Sequence, residues 1–303
     1  MRLLRFSLLL SGSLASTLAT AQPVPIQATV RNANTKQPLA YATVYSAQMH
    51  TGTYSDENGH VALKLDASDT ITVSFLSFEI RRIPVSKLVG VGEILLNEAA
   101  VTLDTIAVKS TKKRRKTYRI GFYDDDTDFD AWGLGIGYIA TNYILNNTEK
   151  TGYLNSLLVD LGKASNQVHR AKARVRIYGA DNPRQGPGRD MLNENIVFDI
   201  PRFATHQKID LTPFHIKFPL EGLFIGIEFL GFETKEGFNQ DWKQQTGGRI
   251  TSTKREDYRS VGYSWLYTIR SRGYRWVCIS DASTERGWKK ILFKIGADVS
   301  TDE

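Results

Sequence analysis

One cysteine, Cys278, stands among 303 residues. Neither an internal disulfide framework nor a Cys-rich zinc site can be built from it. It sits in the apolar run Trp276-Val277-Cys278-Ile279, which predicts a buried thiol. Histidine is also scarce, with His50, His60, His169, His206 and His215 only. None belongs to an H-E-x-x-H pattern, so a zincin-type metal helix is excluded. Beyond the N-terminus no uncharged apolar run approaches the ~18 residues of a membrane-spanning helix. Gly162-Lys163 lacks the upstream glycine of a phosphate loop. Gly262-Tyr263-Ser264-Trp265-Leu266 lacks the second glycine of a nucleophile elbow and has strand-like sequence on both sides. The acids are many, but the sequence places no catalytic pair among them.

What is present is ordinary for a globular chain. Hydrophobic residues make up 41% and charged residues 23%, which excludes wholesale disorder. The length predicts two domains, with one large domain as the alternative. The first segment reads as an export signal. Arg2 and Arg5 precede an apolar, small-residue stretch that ends Leu18-Ala19-Thr20-Ala21. Ala19 and Ala21 fit an A-x-A cleavage site, so residues 1–21 are expected to be removed and the mature chain to begin at Gln22. Losing two arginines lowers the formal charge from +7 to +5. No cysteine lies near the cleavage site to carry a lipid anchor.

From residue 22 to about 109, short β-rich runs alternate with turn residues. Residues 26–31, 40–45, 61–65, 70–75, 79–85 and 93–96 read as strands. Ser55-Asp56-Glu57-Asn58-Gly59 is a strong turn, because Asn and Gly tolerate positive φ. The spacing predicts an all-β sandwich.

Three motifs here resemble a known family. Lys36-Gln37-Pro38-Leu39-Ala40-Tyr41-Ala42-Thr43-Val44 resembles the P-L-x-x-A-x-V signature of carboxypeptidase-D-regulatory-like domains. Gly52-Thr53-Tyr54-Ser55-Asp56-Glu57-Asn58-Gly59-His60-Val61 resembles the family's G-T-x-T-D-x-x-G-x-F segment, with Val61 for the usual Phe. Val73-Ser74-Phe75 and Phe78 resemble its V-S-Y-x-G-Y strand, with Ser77 for the usual Gly. Leu103-Asp104-Thr105-Ile106-Ala107-Val108 resembles the exit segment of such domains in Bacteroidetes surface proteins. The resemblance implies a seven-stranded transthyretin- or Ig-like module of envelope proteins, without catalytic residues of its own.

A basic run, Lys112, Lys113, Arg114, Arg115 and Lys116, follows as the expected linker over 110–117. Its alternative role is contact with an anionic surface such as lipopolysaccharide or phospholipid. Asp124, Asp126, Asp128 and Asp130 then crowd one stretch, and hard oxygens at alternate positions suit calcium. The EF-hand pattern fails, since its Gly and Glu positions fall on Phe129 and Gly135, or on Ala131 and Gly137. A non-EF-hand calcium loop and a solvated acidic turn are the readings left.

Residues 118–303 are expected to form a larger jelly-roll-like sandwich of about eight strands. Residues 171–178 alternate, with Ala171, Ala173, Val175 and Ile177 on one face and Lys172, Arg174, Arg176 and Tyr178 on the other. That pattern predicts a half-buried strand with a wet outer face. Residues 223–232 are nearly all apolar and predict a central strand covered on both faces. Further strands are expected at 195–200, 207–211, 261–269, 275–279 and 291–295, and an exposed loop at 235–259. The layout resembles the C-terminal sandwich found beside the regulatory-like module in Bacteroidetes proteins, a family without a characterised chemistry.

Residues 249–294 carry eleven Lys or Arg against four Asp or Glu. Tyr258, Tyr263, Trp265, Tyr267, Tyr274, Trp276 and Trp288 are interleaved with them. The plainer reading is a sandwich core with outward cations. The functional one is a glycan-binding face, for which Trp242 and Tyr258 in the 235–259 loop are the candidates.

Together these features predict an exported, non-catalytic envelope protein that binds or scaffolds, with an envelope protein or a glycan as partner. Nucleic acid is not expected. A carbohydrate-binding module is the alternative. A small outer-membrane β-barrel is a second, suggested by the flavour of residues 132–139 and opposed by the non-aromatic terminus Val299-Ser300-Thr301-Asp302-Glu303.

Overall fold

The computed structural model describes residues 23–99, 115–121, 130–162, 169–202, 206–235, 237–240, 242, 248–253, 261–270, 273–280 and 292–302. Strands make up nearly all its regular structure. The first seven are β1 (Val24–Asn32), β2 (Thr43–Ser46), β3 (Thr51–Tyr54), β4 (His60–Leu65), β5 (Thr70–Ser74), β6 (Arg81–Pro84) and β7 (Glu93–Leu96). They form two sheets, ordered β4-β1-β7 and β3-β2-β5-β6. Period-two alternation drives the packing. In β5, Ile71 and Val73 are buried in the core while Thr72 and Ser74 alternate with them at partial exposure.

The turn at residues 55–59 forms as its sequence requires. Asp56 Oδ1 accepts the backbone N–H of Asn58 and of His60, each at 2.8 Å. Gly59 has φ +79°. Ser77, standing where the resembled family has glycine, lies at φ +63°. That left-handed conformation is what glycine supplies at no steric cost.

The rest of the chain contributes β8 (Arg115–Gly121), β9 (Asp130–Leu134), β10 (Ile139–Ile144), β11 (Gly152–Gly162), β12 (Arg170–Tyr178), β13 (Val197–Pro201), β14 (His206–Asp210), β15 (Lys217–Phe218), β16 (Leu223–Thr234), β17 (Gly237–Asn239), β18 (Gly248–Thr253), β19 (Val261–Arg270), β20 (Gly273–Cys278), β21 (Leu292–Phe293) and β22 (Ile295–Asp302). Eight of these form nested antiparallel pairs: β8 with β22, β10 with β16, β11 with β14, and β12 with β13. The pairs β11·β22 and β12·β16 stitch them into two sheets. One long hairpin rolled on itself gives this nesting, which is the jelly-roll arrangement. The hairpin β19–β20 widens one sheet beside β10. Strands β9, β18 and β21 extend the other.

A buried polar clamp ties the sheets together. Asn142 of β10 donates to the carbonyls of Phe293 and Ile295 at 2.7 and 3.0 Å and accepts from the Ser264 hydroxyl at 2.5 Å. Ser264 in turn accepts the backbone N–H of Phe293. Every member of the clamp is thus satisfied, as a buried polar group requires.

Several expectations are corrected. The strands exceed eight, because insertions widen both jelly-roll sheets. The linker ends early, since Arg115 and Lys116 already pair with Asp302 and Thr301 in the β8·β22 ladder. The 235–259 stretch contains β17 and β18 and is not one loop. Cys278 is half-buried, not buried. Both large sheets are open, with free edge strands, so no closed barrel exists among the described residues. The outer face of β12 is not wet: Arg174 and Tyr178 are buried, and Lys172 and Arg176 largely so. The N-terminal sandwich lies over it.

Candidate functional site

The site begins with two neighbouring strands. In the β12·β16 ladder Arg174 stands directly opposite Glu228, and both are almost inaccessible, at 3% and 4% exposure. An isolated buried carboxylate costs far more than a fold can supply, so its partners decide whether it is tolerated. Arg174 grips Glu228 with Nε and Nη2 at 2.7 and 2.9 Å. The Tyr54 hydroxyl of β3 donates to the same carboxylate at 2.6 Å. Arg176 Nε approaches at 3.4 Å.

Arg174 also crosses to the N-terminal sandwich. Its Nη1 donates to the Tyr41 carbonyl at 3.0 Å and its Nη2 to the Thr43 hydroxyl at 3.2 Å. Tyr41 has φ +61°, an outlying conformation for a bulky residue. The strained backbone is therefore located where its carbonyl meets the guanidinium. At the rim Lys172 reaches Asp199 at 3.0 Å and Glu57 at 3.3 Å. The Tyr41 hydroxyl donates to Glu57 at 3.0 Å.

The electrostatics follow from this geometry. Burial alone would raise the Glu228 carboxyl, but Arg174, Arg176 and the Tyr54 hydroxyl hold it below the ordinary range. Burial, reinforced by the Glu228 charge, pushes the Tyr54 hydroxyl far up. Burial opposes the charge on Arg176, yet Tyr178, Glu228 and Asp190 raise it overall. Asp190 is raised by burial, with Arg176 offsetting part of the effect. Tyr41 is pushed up to about 12 by burial and by its bond to Glu57.

Trp242 completes the junction. Its ring stacks on Tyr45 with centroids 5.7 Å apart and meets Tyr54 at 5.4 Å. Gly52 of β3 and Gly137 before β10 flank it. A Cβ at either would come within 3 Å of the indole. Trp242, Tyr54 and Tyr41 all join the hydrophobic core of the jelly roll, so apolar packing is continuous across the junction.

Beside this lock lies a cleft of about 310 Å³. The N-terminal sandwich supplies Thr43, Tyr45, Thr72 and Ser74. The jelly roll supplies Arg176, Tyr178, Glu228, Tyr267 and Trp276. Trp276 packs at 5.3 Å from Tyr267 and edge-on at 5.5 Å from Tyr178. Tyr267 is pushed up to about 12 by burial, then by Tyr45 and Glu228. These rings belong to an aromatic cluster with Trp265 that is separate from the sandwich core. A larger groove of about 930 Å³ runs from β4 to β17. It is lined mostly by residues of β1, β3 and β4, and its charged lining residues among the described ones are Lys64 and the exposed His60–Asp56 pair.

The candidates from sequence fare unevenly. Trp242 is 5% exposed and cannot stack on an incoming sugar, because packing between the sandwiches uses both its faces. Tyr258, Asp124, Asp126 and Asp128 lie outside the described residues, as do Lys112, Lys113 and Arg114. Asp130 opens β9, opposite Ser252. Arg115 and Lys116 are exposed on β8. Among the described residues no three His, Cys, Asp or Glu side chains converge to hold a metal ion.

Residues 26–108 match the family model of the CarboxypepD_reg-like domain. The N-terminal sandwich is such a domain. No curated protein matches the chain. The CarboxypepD_reg-like domain belongs to a non-catalytic family, and here it contributes Tyr41, Thr43, Tyr45, Tyr54 and Glu57 to the junction. Sequence reasoning missed Glu228, although a signal existed. It is the lone charge among the apolar residues 223–232, and a buried acid demands a cation nearby. Arg174 and Arg176 were the cations on offer.

Proposed function

We propose that the protein is an exported, non-catalytic component of the cell envelope that works by binding or scaffolding. The observation that carries this reading is the lock itself. Arg174, Glu228 and Tyr54 spend their hydrogen bonds on holding two sandwiches together, and a cleft of ligand size opens beside them. Glu228 is saturated with donors and held ionised, so it is poorly suited to proton transfer. The non-catalytic character of the CarboxypepD_reg-like domain supports the same conclusion. The arginine, apolar and small-residue order of residues 1–21 supports export.

Fractionation of the producing cells, with mass analysis of the recovered chain, tests the reading. The expected result is a chain beginning at Gln22 in the envelope fraction. A full-length chain in the cytosol would overturn it.

A further inference from the structure

We infer that the cleft between the two sandwiches is a binding site for a neutral sugar ring, built from both domains and absent from either alone. The inference deepens the binding reading above and rests on it. A pyranose has an apolar C–H face and a rim of hydroxyls, so its site needs an aromatic surface beside groups that donate and accept. Tyr45, Tyr267 and Trp276 line the cleft and remain partly exposed, which gives the surface. The hydroxyls of Thr72 and Ser74 bond no other group among the described residues. Arg176 uses Nε for Tyr178 and Glu228 and Nη2 for Asp190. Its Nη1 is thereby left as a donor among the described residues.

Charge balance selects the neutral class. The guanidiniums of Arg174 and Arg176 are already matched by the carboxylates of Glu228 and Asp190, so a further anion would meet two carboxylates without a free cation. Topology argues against an extended peptide. The lining strands β2, β5, β10, β12, β16 and β19 each have a hydrogen-bonded neighbour on both sides. Apart from Trp276 on β20, the strands thus offer faces and not an edge for strand addition.

The test is an array of neutral and acidic oligosaccharides probed with the chain from Gln22 to Glu303, followed by titration of the best neutral binder. Selective neutral binding is expected. Trp276→Ala and Tyr267→Ala should each weaken it by about tenfold, while Tyr118→Ala on β8 should leave it unchanged. Thr72→Val keeps a strand-forming shape and should still lower affinity, so it reads the site even if an aromatic variant fails to fold. A blank array with folded protein would overturn the inference, as would binding confined to acidic glycans. So would affinity that survives Trp276→Ala and Tyr267→Ala in proteins of unchanged melting temperature. An envelope-located chain with a blank array loses only the sugar site, whereas an uncleaved cytosolic chain removes the reading beneath it.

Discussion

Replacing Arg174 by Met tests the junction most directly. The substitution keeps an apolar stem of similar length and removes the guanidinium. Glu228, at 4% exposure, would then keep only the Tyr54 hydroxyl and the more distant Arg176. Breaking a buried pair by removing one partner costs about 3–5 kcal/mol. The buried carbonyl of Tyr41 would also lose its donor, at about 1 kcal/mol, while the part-buried side chains of Asn195 and Thr43 lose a partner that water replaces. The loss should therefore lie near the top of that range, about 5 kcal/mol. At about 2–4 °C per kcal/mol for a chain of this size, melting should fall by more than 10 °C.

The double variant Arg174→Met with Glu228→Met should recover much of the loss, because the stranded charge goes with its partner. Tyr54 and Tyr41 would still be short of one bond each, leaving a deficit of about 2 kcal/mol. Urea unfolding followed by tryptophan fluorescence and by circular dichroism measures both variants. The wild type should unfold in one step by both probes, and Arg174→Met should separate the two sandwiches into two steps. A single variant costing under about 1 kcal/mol, or a double variant no better than the single, would refute the claim that the pair holds the junction.

Other perturbations probe the same fold. Gly137→Ala places a Cβ 2.7 Å from the Trp242 ring at φ +85°, so it should destabilise by about 1–3 kcal/mol and be partly rescued by Trp242→Leu, as thermal melts would show. Acidification should weaken the protein. The Glu228 carboxyl is depressed in the fold, so its contribution is complete above the ordinary value of 4.5 and lost as pH falls below it. Glu228→Gln should flatten that acid limb in stability measured against pH. Raised Tyr hydroxyls act at the other end: stability is complete below pH 10 and lost as pH rises through the higher folded values, about 12 for Tyr41 and Tyr267. Ultraviolet titration should show these tyrosines ionising late, together with Tyr54. Deleting residues 295–303 removes the strand between β11 and β8, and the product should fail to give a cooperative melt.

Local patterning made most of the strands legible. Ile71 and Val73 in β5, and Ala171, Ala173, Val175 and Ile177 in β12, alternate as half-buried strands must, and the turn at 55–59 carries its own chemistry. What escaped was long-range. Residues 295–302 mix Ala, Val, Ser and Asp, and look like a polar tail. They form a central strand because β11 and β8 cover both edges, a fact no window of eight residues contains. Trp242 failed for a related reason. Its neighbours in sequence are polar, which made it look exposed, whereas Gly52 and Gly137, distant in sequence, remove the side chains that would otherwise fill its space.

The polar face of β12 carries the more general point. Alternation predicts which side chains leave the core of their own sheet, and it was right about Lys172, Arg174, Arg176 and Tyr178. It does not say whether water or another domain lies beyond. The deciding clue was Glu228 across the ladder. An acid in a strand buried over ten consecutive residues requires compensation within hydrogen-bond reach, and a lone Arg on a wet face would not need to be doubly bonded there. An apolar junction could hold two sandwiches as tightly. A junction of directional bonds also fixes their relative orientation, because Arg174 satisfies Glu228, Tyr41 and Thr43 together in only one docking geometry. A cleft lined from both sides has a defined shape only if that geometry is fixed. The buried charges are therefore better understood as setting the cleft than as strengthening the fold, and a variant that loses the lock while both sandwiches stay folded should lose ligand binding first.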